Sequence, residues 1–522
     1  MRPLGRRDLL RAAGGSAALL LTGCGSLRER TGTLLASAGD LPRAFTVPLP
    51  VPAVLEPVRR TADADEYEIV QRVADVAIVP GRTTEVFGYA GTFPGPTLVS
   101  RRGRRTRVTH VNELPVPTVV HLHGGHTPAA SDGFPTDLVL PAGMTEPPAA
   151  RGHAAHGGHG AGAAAGDVVS GRRTYDYPMQ QRAATLWYHD HRMDFTGPAV
   201  HRGLVGVHLV HDEEEEALGL PAGERDVPLV VCDRSFAEDG SFRYPALDPS
   251  MLAEAGVLTE FADGVLGDVV LVNGAPWPVL DVDAVRYRFR VLNASNARRY
   301  ELRLDPPPPQ GPAFVQVGSD GGLLAAPVGH DVLRVAPAER FDVVVDFARW
   351  PVGSEVTVVN SLGEGGAARV MRFRVVRRGR DGSTVPDRLV EVEELPEEAA
   401  RTTRDFRFER GRPGQPHWVV AGRPYDPARV DADVPLGQVE RWRFRSDLHH
   451  PVHVHLDPFQ VVRRGSGGPG AYDAGWKDTV DLRPGQAVEV LVRFGDHAGT
   501  FMLHCHNLEH EDMAMMANFR TA

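Results

Sequence analysis

The sequence predicts an all-β fold built from several consecutive β-sandwich domains. The chain has 522 residues, among them 56 glycines and 43 prolines, and both residue types favour turns over helices. From Tyr67 onward, short runs rich in β-branched residues alternate with turn residues, and few stretches keep a helical period. Because a chain of this length exceeds what one hydrophobic core supports, more than one sandwich is expected.

A weak internal repeat sets the number of domains at three. Three segments share a plan of glycine turn, proline, strand and closing polar residues, and they begin at Tyr89, Val272 and Val420. We therefore expect three domains, at 45–212, 226–376 and 400–522. The acidic run Asp212–Glu216 and the polar segment that follows Arg377 are interpreted as linkers, with solvated loops inside a domain as the alternative.

The first 24 residues resemble a twin-arginine export signal. Arg6 and Arg7 precede a short apolar stretch, and the segment LTGC ends at Cys24 in the manner of a lipoprotein cleavage box. The apolar stretch is too short for a stable membrane span. The segment predicts export by the twin-arginine route, a mature protein that is secreted or held at the cell envelope by a lipid on Cys24, and no transmembrane span.

Charge and cysteine content exclude two further classes of protein. The formal net charge is −10, so no basic surface invites a nucleic-acid partner. The chain has three cysteines, of which Cys24 belongs to the signal, leaving Cys232 and Cys505. A disulfide framework is therefore excluded. Since Cys505 lies between two histidines, metal ligation is the favoured role for it, with a small buried apolar residue as the alternative.

Histidines concentrate in four short clusters. Ten of the 22 histidines share this arrangement: His121 and His123; His189 and His191; His450, His453 and His455; His504, His506 and His510. Each cluster contains a His-x-His pair, and alternation along a strand places both imidazoles of such a pair on one face. Four such pairs predict metal binding rather than scattered core histidines.

The segment HCHNLEHEDMAMM, from His504, carries the most specific signal. On a strand, Cys505 faces away from His504 and His506, so the thiolate and these imidazoles serve different metal sites. Cys505, His450 and His510 with a nearby thioether form the His₂Cys donor set of a blue-copper site. Cys505 would then link that copper covalently to metals held by its two neighbours.

With the motifs HLHGG, WYHDH, HPVHVH and HCHxxxHxxxxM in this order, the chain resembles the multicopper oxidases, in particular the bacterial three-domain laccase group. The resemblance implies three consecutive cupredoxin-like Greek-key β-sandwich domains, with ligands from the first and third and a middle domain that acts as a spacer. It also implies four coppers: a reducing substrate is oxidised at type 1 copper, and dioxygen is reduced to water at a trinuclear cluster.

The resemblance assigns a ligand role to each motif position. The type 2 positions are His121 and His453. The type 3 positions are His123, His189, His191, His455, His504 and His506. The type 1 positions are His450, Cys505 and His510, with Met515 as the axial residue, while Met513 and Met516 are expected to pack in the core.

Two carboxylates match acidic positions that assist dioxygen reduction in the family, namely Asp132 and Glu511. Reduction of dioxygen to water consumes protons, so an acid near the cluster is chemically required, and solvated loop acids are the alternative interpretation. Strand alternation predicts that Asp190 faces away from His189 and His191, with a hydrogen bond to an imidazole N–H as the alternative. The Gly/Ala/His-rich segment 151–166 is interpreted as a loop without a core, with copper collection by its histidines as the alternative.

The sequence therefore favours a laccase-like oxidase of phenols or aromatic amines, with Cys505, His510, Asp132 and Glu511 in catalytic roles and the donor at the edge of His510. One alternative is an envelope metallo-oxidase acting on Cu(I) or another low-valent metal ion. A second alternative is a non-catalytic copper-binding lipoprotein, which the full set of eight cluster histidines disfavours. A zinc hydrolase is disfavoured by Cys505 and Met515.

Overall fold

The computed structural model describes residues 31–148 and 166–522. The export signal with Cys24, and the segment 151–166 except for its last residue, lie outside the described residues. Among the residues that are described, no helix is long and apolar enough to cross a membrane. The described chain starts with a two-residue strand, β1 (Thr33–Leu34).

Residues 59–211 form two sheets around one core. The strands of the first sheet are β2 (Arg59–Arg60), β3 (Ala64–Val76), β4 (Thr84–Tyr89), β6 (Arg105–Asn112) and β10 (Arg172–Tyr177). The strands of the second are β5 (Leu98–Arg101), β7 (Val120–His123), β11 (Ala184–Asp190) and β12 (Val205–His211). A separate pair joins β8 (Val139–Leu140) to β9 (Val169–Ser170). Apolar residues of both sheets meet in a common core.

The pairing of β7 with β11 brings the first two histidine clusters together. These strands are antiparallel, with His121 opposite His189 and His123 opposite Trp187. A short helix, α1 (Thr196–Arg202), follows β11.

The acidic run after β12 forms a helix, α2 (Glu213–Ala217), so the interpretation as a solvated loop is wrong. The Asp212 side chain caps this helix by accepting from the Glu215 amide. Glu215 is buried because Arg288 and Arg290 of the next sandwich pair with its carboxylate at 2.7 and 3.1 Å.

Residues 226–378 form the second pair of sheets, around the largest core. The strands of the seven-stranded sheet are β13 (Asp226–Arg234), β15 (Val269–Val272), β16 (Ala275–Pro276), β18 (Arg286–Asn293), β20 (Phe314–Ser319), β21 (Gly322–His330) and β23 (Arg340–Asp346). The strands of the five-stranded sheet are β17 (Val279–Ala284), β19 (Tyr300–Asp305), β22 (Leu333–Val335), β24 (Glu355–Asn360) and β25 (Arg369–Arg378). β14 (Val265–Leu266) pairs with β1.

Residues 402–521 form the third pair of sheets, and the described segment 379–401 between the second and third pairs has no strand. The strands of its first sheet are β26 (Thr402–Arg410), β27 (Trp418–Val420), β29 (Val439–Ser446), β31 (Phe459–Arg464) and β33 (Ala487–Arg493). The strands of its second are β28 (Ala432–Val434), β30 (His450–Val454), β32 (Thr479–Leu482), β34 (Gly499–Cys505) and β35 (Met516–Thr521). A short helix, α3 (Leu508–Asp512), joins β34 to β35.

The pairing of β30 with β34 aligns the late histidine clusters. His453 lies opposite His504, and Val452 lies opposite Cys505. The predicted all-β class with cupredoxin-like sandwiches is confirmed, because paired β-sheets make up each third of the described chain. The domain limits of 45–212, 226–376 and 400–522 stay a prediction.

Candidate metal centre

His450, Cys505 and His510 form a compact donor set inside the third sandwich. The two Nδ1 atoms lie 3.1 Å apart, and the Cys505 Sγ lies 3.5 Å from each of them. All three side chains are at most 2% exposed. β30 supplies His450, β34 supplies Cys505, and α3 supplies His510. Two imidazole nitrogens and one sulfur that converge in this way form the set that binds copper in blue electron-transfer sites.

Burial alone would keep the Cys505 thiol protonated. Desolvation raises the pKa of this thiol well above its ordinary value, and the Asn507 amide that points at the sulfur only partly offsets the effect. A metal cation bound by the sulfur reverses this preference, because coordination deprotonates a thiol. The site is therefore suited to a soft cation rather than to a free thiolate.

Met515 lies in the turn that closes α3 beside this donor set. Its amide donates to the His510 carbonyl at 3.0 Å, and its own carbonyl accepts from the Cys505 amide at 3.1 Å. Met515 and Met513 share the apolar core that contains Cys505, whereas Met516 packs in a separate cluster. The packing thus sets Met516 apart from the other two.

The outer edge of His510 is covered, and the expectation that a donor docks near this edge stays a prediction. Its Nε2 atom lies 3.2 Å from the Asp263 carbonyl oxygen, which also accepts from Asn507 at 3.0 Å. The Trp418 ring packs on the His510 ring at a centroid distance of 4.0 Å. The Asp263 carbonyl and the Trp418 ring thus form a covering layer over His510.

The remaining eight cluster histidines converge between the first and third sandwiches, and we call this group the histidine cage. Their ring nitrogens form three triads, in each of which the ligand atoms lie within 4.8 Å of one another. The triads are His121, His123 and His453; His123, His189 and His506; and His191, His455 and His504. All eight side chains are at most 1% exposed.

The chemistry of these rings fits bound metal. Desolvation lowers the pKa of seven of them, to about 3 at His189 and to about 4 at His191, so these seven rings are neutral and each has a nitrogen lone pair for a metal. His123 Nδ1, His189 Nε2 and both nitrogens of His506 are buried without a hydrogen-bond partner. Buried polar atoms without partners are rare in proteins, and metal ligation would satisfy His123 Nδ1, His189 Nε2 and one nitrogen of His506.

Asp132 contacts two of the cluster histidines. Its carboxylate lies 2.7 Å from His455 Nδ1, and its backbone carbonyl lies 2.5 Å from His121 Nδ1. Burial raises the pKa of Asp132 well above its ordinary value. The solvated-loop interpretation of Asp132 is therefore wrong, because the side chain is buried against the cage.

Glu511 is equally buried, on α3. Its carboxylate oxygens lie 3.2 Å from His504 Nδ1 and 3.6 Å from His191 Nδ1, and neither oxygen has an aligned hydrogen-bond partner. Burial raises the pKa of this carboxyl, but His504 and His191 lower it further, so it lies below its ordinary value. The solvated-loop interpretation is wrong here as well.

The Asp190 carboxylate bonds no imidazole of the described residues, so the alternative of a hydrogen bond from it to a ligand ring is wrong. That carboxylate accepts from the amides of Val119 and Arg192, and the Asp190 backbone carbonyl accepts from His189 Nδ1 at 2.7 Å. The side chain faces away from the histidine pair by strand alternation, so only the main chain reaches the ring.

Sequence reasoning missed Asp478, which holds the cage from the third sandwich. Its carboxylate lies 3.1 Å from His123 Nε2, and its carbonyl lies 2.9 Å from His453 Nδ1. Burial raises the pKa of Asp478, but Arg340 and His123 hold it well below its ordinary value. Asp478 belongs to no histidine motif, so no local signal could have found it.

The middle sandwich contributes no residue to the His₂Cys set or to the three histidine triads. It nevertheless reaches the cage, because Arg340 donates to both carboxylate oxygens of Asp478 at 2.7 and 2.5 Å. The middle domain thus contacts the cage, and its role as a spacer without metal ligands stays a prediction.

The fold and the site together define a protein of cupredoxin-like sandwiches with one His₂Cys set and a cage of eight histidines. One family model, described as "Multicopper oxidase", matches residues 397–522. A second model with the same description matches residues 72–148 and 165–215. The chain belongs to the multicopper oxidase family. It is therefore a copper-dependent oxidoreductase with dioxygen as the acceptor.

Individual relatives agree with this assignment. The chain is 34% identical to a laccase of Bacillus subtilis, with 90% of this chain and 97% of that protein covered. It is 34% identical to a bilirubin oxidase of Albifimbria verrucaria, with 91% and 81% covered. The crystal structure of a multi-copper oxidase from Pediococcus acidilactici superposes with a TM-score of 0.78 at 29% identity, with 94% and 93% covered.

Proposed function

We propose that this protein is a laccase-like oxidase that holds four coppers. One copper would be bound by His450, Cys505 and His510 with Met515 as the axial residue, and three by the cage of eight histidines. The observation that carries the proposal is the placement of Cys505 between His504 and His506, which lie in two different triads of the cage. A single peptide segment thus joins the His₂Cys set to the cage.

When bound, the coppers supply one-electron oxidation at the His₂Cys set and four-electron reduction of dioxygen at the cage. The chain supplies the path for the electrons and the groups that deliver protons. The Cys505 backbone and its two neighbouring imidazoles connect the sites without solvent between them, since all three side chains are at most 1% exposed. Asp132 and Glu511 are two of the buried carboxyls within reach of cage histidines, and we assign them the role of delivering protons.

Phenols and aromatic amines, the donors that the resemblance to laccases implies, are the proposed donors of this chain. Electron transfer through the covering layer over His510 requires proximity and a matched potential more than directional contacts, so a broad set of donors is expected. A second candidate, oxidation of a low-valent metal ion, is favoured by one observation. Two partly exposed carboxylates, of Asp263 and Asp447, flank the site, and Asp447 bonds His450 Nε2 at 3.0 Å.

The test is one experiment on copper-loaded protein. Intense visible absorption, about four coppers per chain and oxygen uptake with a phenolic donor would support the oxidase. Uptake with Cu(I) or Fe(II) but not with phenols would favour the metal-ion donor. Colourless protein, or one copper without oxygen uptake, would overturn the proposal and favour non-catalytic copper binding.

Export by the twin-arginine route and a lipid on Cys24 are proposed from residues 1–24 alone. Mass spectrometry of the protein recovered from its own cell envelope tests both. A mature chain that begins at a lipid-modified Cys24 would support them, and a chain that retains Arg6 and Arg7 would contradict them.

A further inference from the structure

Arg340, the first residue of β23 in the middle sandwich, contacts all three sandwiches. Its side chain is fully buried. It donates to the Thr185 carbonyl of the first sandwich at 3.0 Å and to the Asp320 carbonyl of its own at 3.1 Å. Two further bonds go to the Asp478 carboxylate of the third. The guanidinium therefore lies where the three units meet.

Asp478 carries this contact to the cage. One carboxylate oxygen lies near His123 and the backbone carbonyl near His453, so one residue fixes two imidazoles on different strands. The two rings stack on each other at a centroid distance of 3.6 Å and an angle of 17°. A rotation of the Asp478 carboxylate would therefore displace His123 directly and disturb the ring stacked on it.

Gly124, the residue after His123, gives independent evidence that the Arg340–Asp478 ion pair, called the pair below, packs tightly against this backbone. Its φ is +83°, and a Cβ atom there would lie 2.6 Å from Arg340 Nη2 and 2.8 Å from Asp478 Oδ2. No side chain fits between the pair and this backbone. The Gly-Gly after the HLH motif is thus explained at its first position by the pair and not only by a turn.

An arginine suits this position better than a lysine does. Its planar fork bonds both carboxylate oxygens at once and fixes the carboxylate plane, whereas an ammonium is a point charge that leaves rotation free. Carboxylates that bond ligand histidines orient the ring and tune metal affinity. A buried carboxylate without its cation would not keep that role.

We propose that Arg340 is a positioning residue through which the middle domain orients His123 and His453 for metal binding. The inference rests on the proposed function, because it takes these two histidines as copper ligands.

The test compares R340K with R290K in the full-length, copper-loaded protein. Arg290 is the matched control, because it is also fully buried in the middle sandwich, and its ion pairs go to Asp226, Glu215 and Asp342 rather than to the cage. We expect R340K to lose cage copper to a chelator 10- to 100-fold more readily than wild type. The visible absorption of the His₂Cys set should remain, and R290K should retain its copper as wild type does.

A second variant, G124A, keeps both charges but forces the pair away from His123, and it should reproduce the copper loss. Copper retention like that of wild type in both R340K and G124A would overturn the inference. So would failure of both to fold while R290K folds, since the pair would then serve folding alone. If R340K alone fails to fold, the copper retention of G124A decides. A wild-type protein that holds no cage copper would instead refute the proposed function.

Discussion

Asp132 and Asp478 hold the histidine cage by the same two contacts, although they come from different sandwiches. Each uses its carboxylate for one histidine and its backbone carbonyl for another. Asp132 bonds His455 and His121 in this way, and Asp478 bonds His123 and His453. Each aspartate thereby fixes one stacked pair of imidazoles, with ring centroids 3.9 and 3.6 Å apart. The cage is therefore oriented by main chain and side chain together.

Replacement of Cys505 by serine should abolish both the intense visible absorption and oxygen uptake. A hydroxyl is a far weaker ligand than a thiolate, and the link from the His₂Cys set to the cage runs through this residue. Absorption spectra and oxygen electrodes measure the two effects. C232S is the matched control, because Cys232 is also buried but lies in the middle sandwich away from the histidines. A C505S protein that keeps its colour would contradict the assignment.

Replacement of Glu511 by glutamine should slow oxygen uptake by about 10²- to 10⁴-fold, the usual contribution of a positioned acid or base. The amide has the same shape but cannot exchange a carboxyl proton. The rate at which a donor bleaches the visible absorption of the His₂Cys set in the absence of oxygen, measured by stopped flow, should be unchanged. Electron entry at His510 does not use the Glu511 side chain.

The control for Glu511 is D512N on the same helix. Asp512 accepts from the amides of Thr196 and Gly197 and faces α1 rather than the cage. We expect D512N to lower the melting temperature without a selective defect in the oxygen step. Equal kinetic defects in both variants would argue against proton delivery by Glu511.

The Asp263 side chain should influence how charged donors bind. D263N removes the ion pair with Arg410 and one negative charge beside the covered edge of His510. KM should rise a few-fold for a cationic donor and fall for an anionic one, mostly at low salt, because the group is half exposed. Copper content and visible spectrum should stay the same. D433N, which breaks the exposed Asp433–Arg520 pair, should change neither KM, and equal shifts in both variants would refute the assignment.

A pH-dependent contact joins the first and third sandwiches at His126. Its ring nitrogens lie 2.8 Å from Asp457 and 2.9 Å from Asp496. Burial lowers the pKa of His126, but the two carboxylates raise it more, so it lies above its ordinary value of 6.5. Because the folded pKa is the higher one, the contact contributes fully below pH 6.5 and is lost as the pH rises through the folded pKa.

Melting curves of wild type and H126Q should therefore converge as the pH rises above neutrality. Below pH 6.5 the free energy of unfolding of wild type should exceed that of H126Q by roughly 1 kcal/mol, since Asp496 is largely exposed. H208Q is the control, because burial lowers the pKa of His208 to about 3 and keeps it neutral over this range. A wild-type advantage over H126Q that does not change with pH would contradict the ion pairs.

The sequence by itself determined the sandwich class and the convergence of ten histidines with Cys505. These features depend on local rules: a strand alternates its side chains, so each His-x-His pair shares one face and Cys505 takes the other. The two acids, Asp132 and Glu511, were predicted on other grounds, because they match acidic positions of the family that the chain resembles and because dioxygen reduction consumes protons.

Only the tertiary structure decided which groups stand behind the ligands and what covers them. Asp478 meets His123 across 355 residues, and Asp263 covers His510 across 247 residues. Arg340 comes from a sandwich that contributes no residue to the His₂Cys set or to the eight-histidine cage. Such contacts depend on how separate sheets pack and leave no periodic pattern in the chain, because each partner is an ordinary polar residue until the fold buries it.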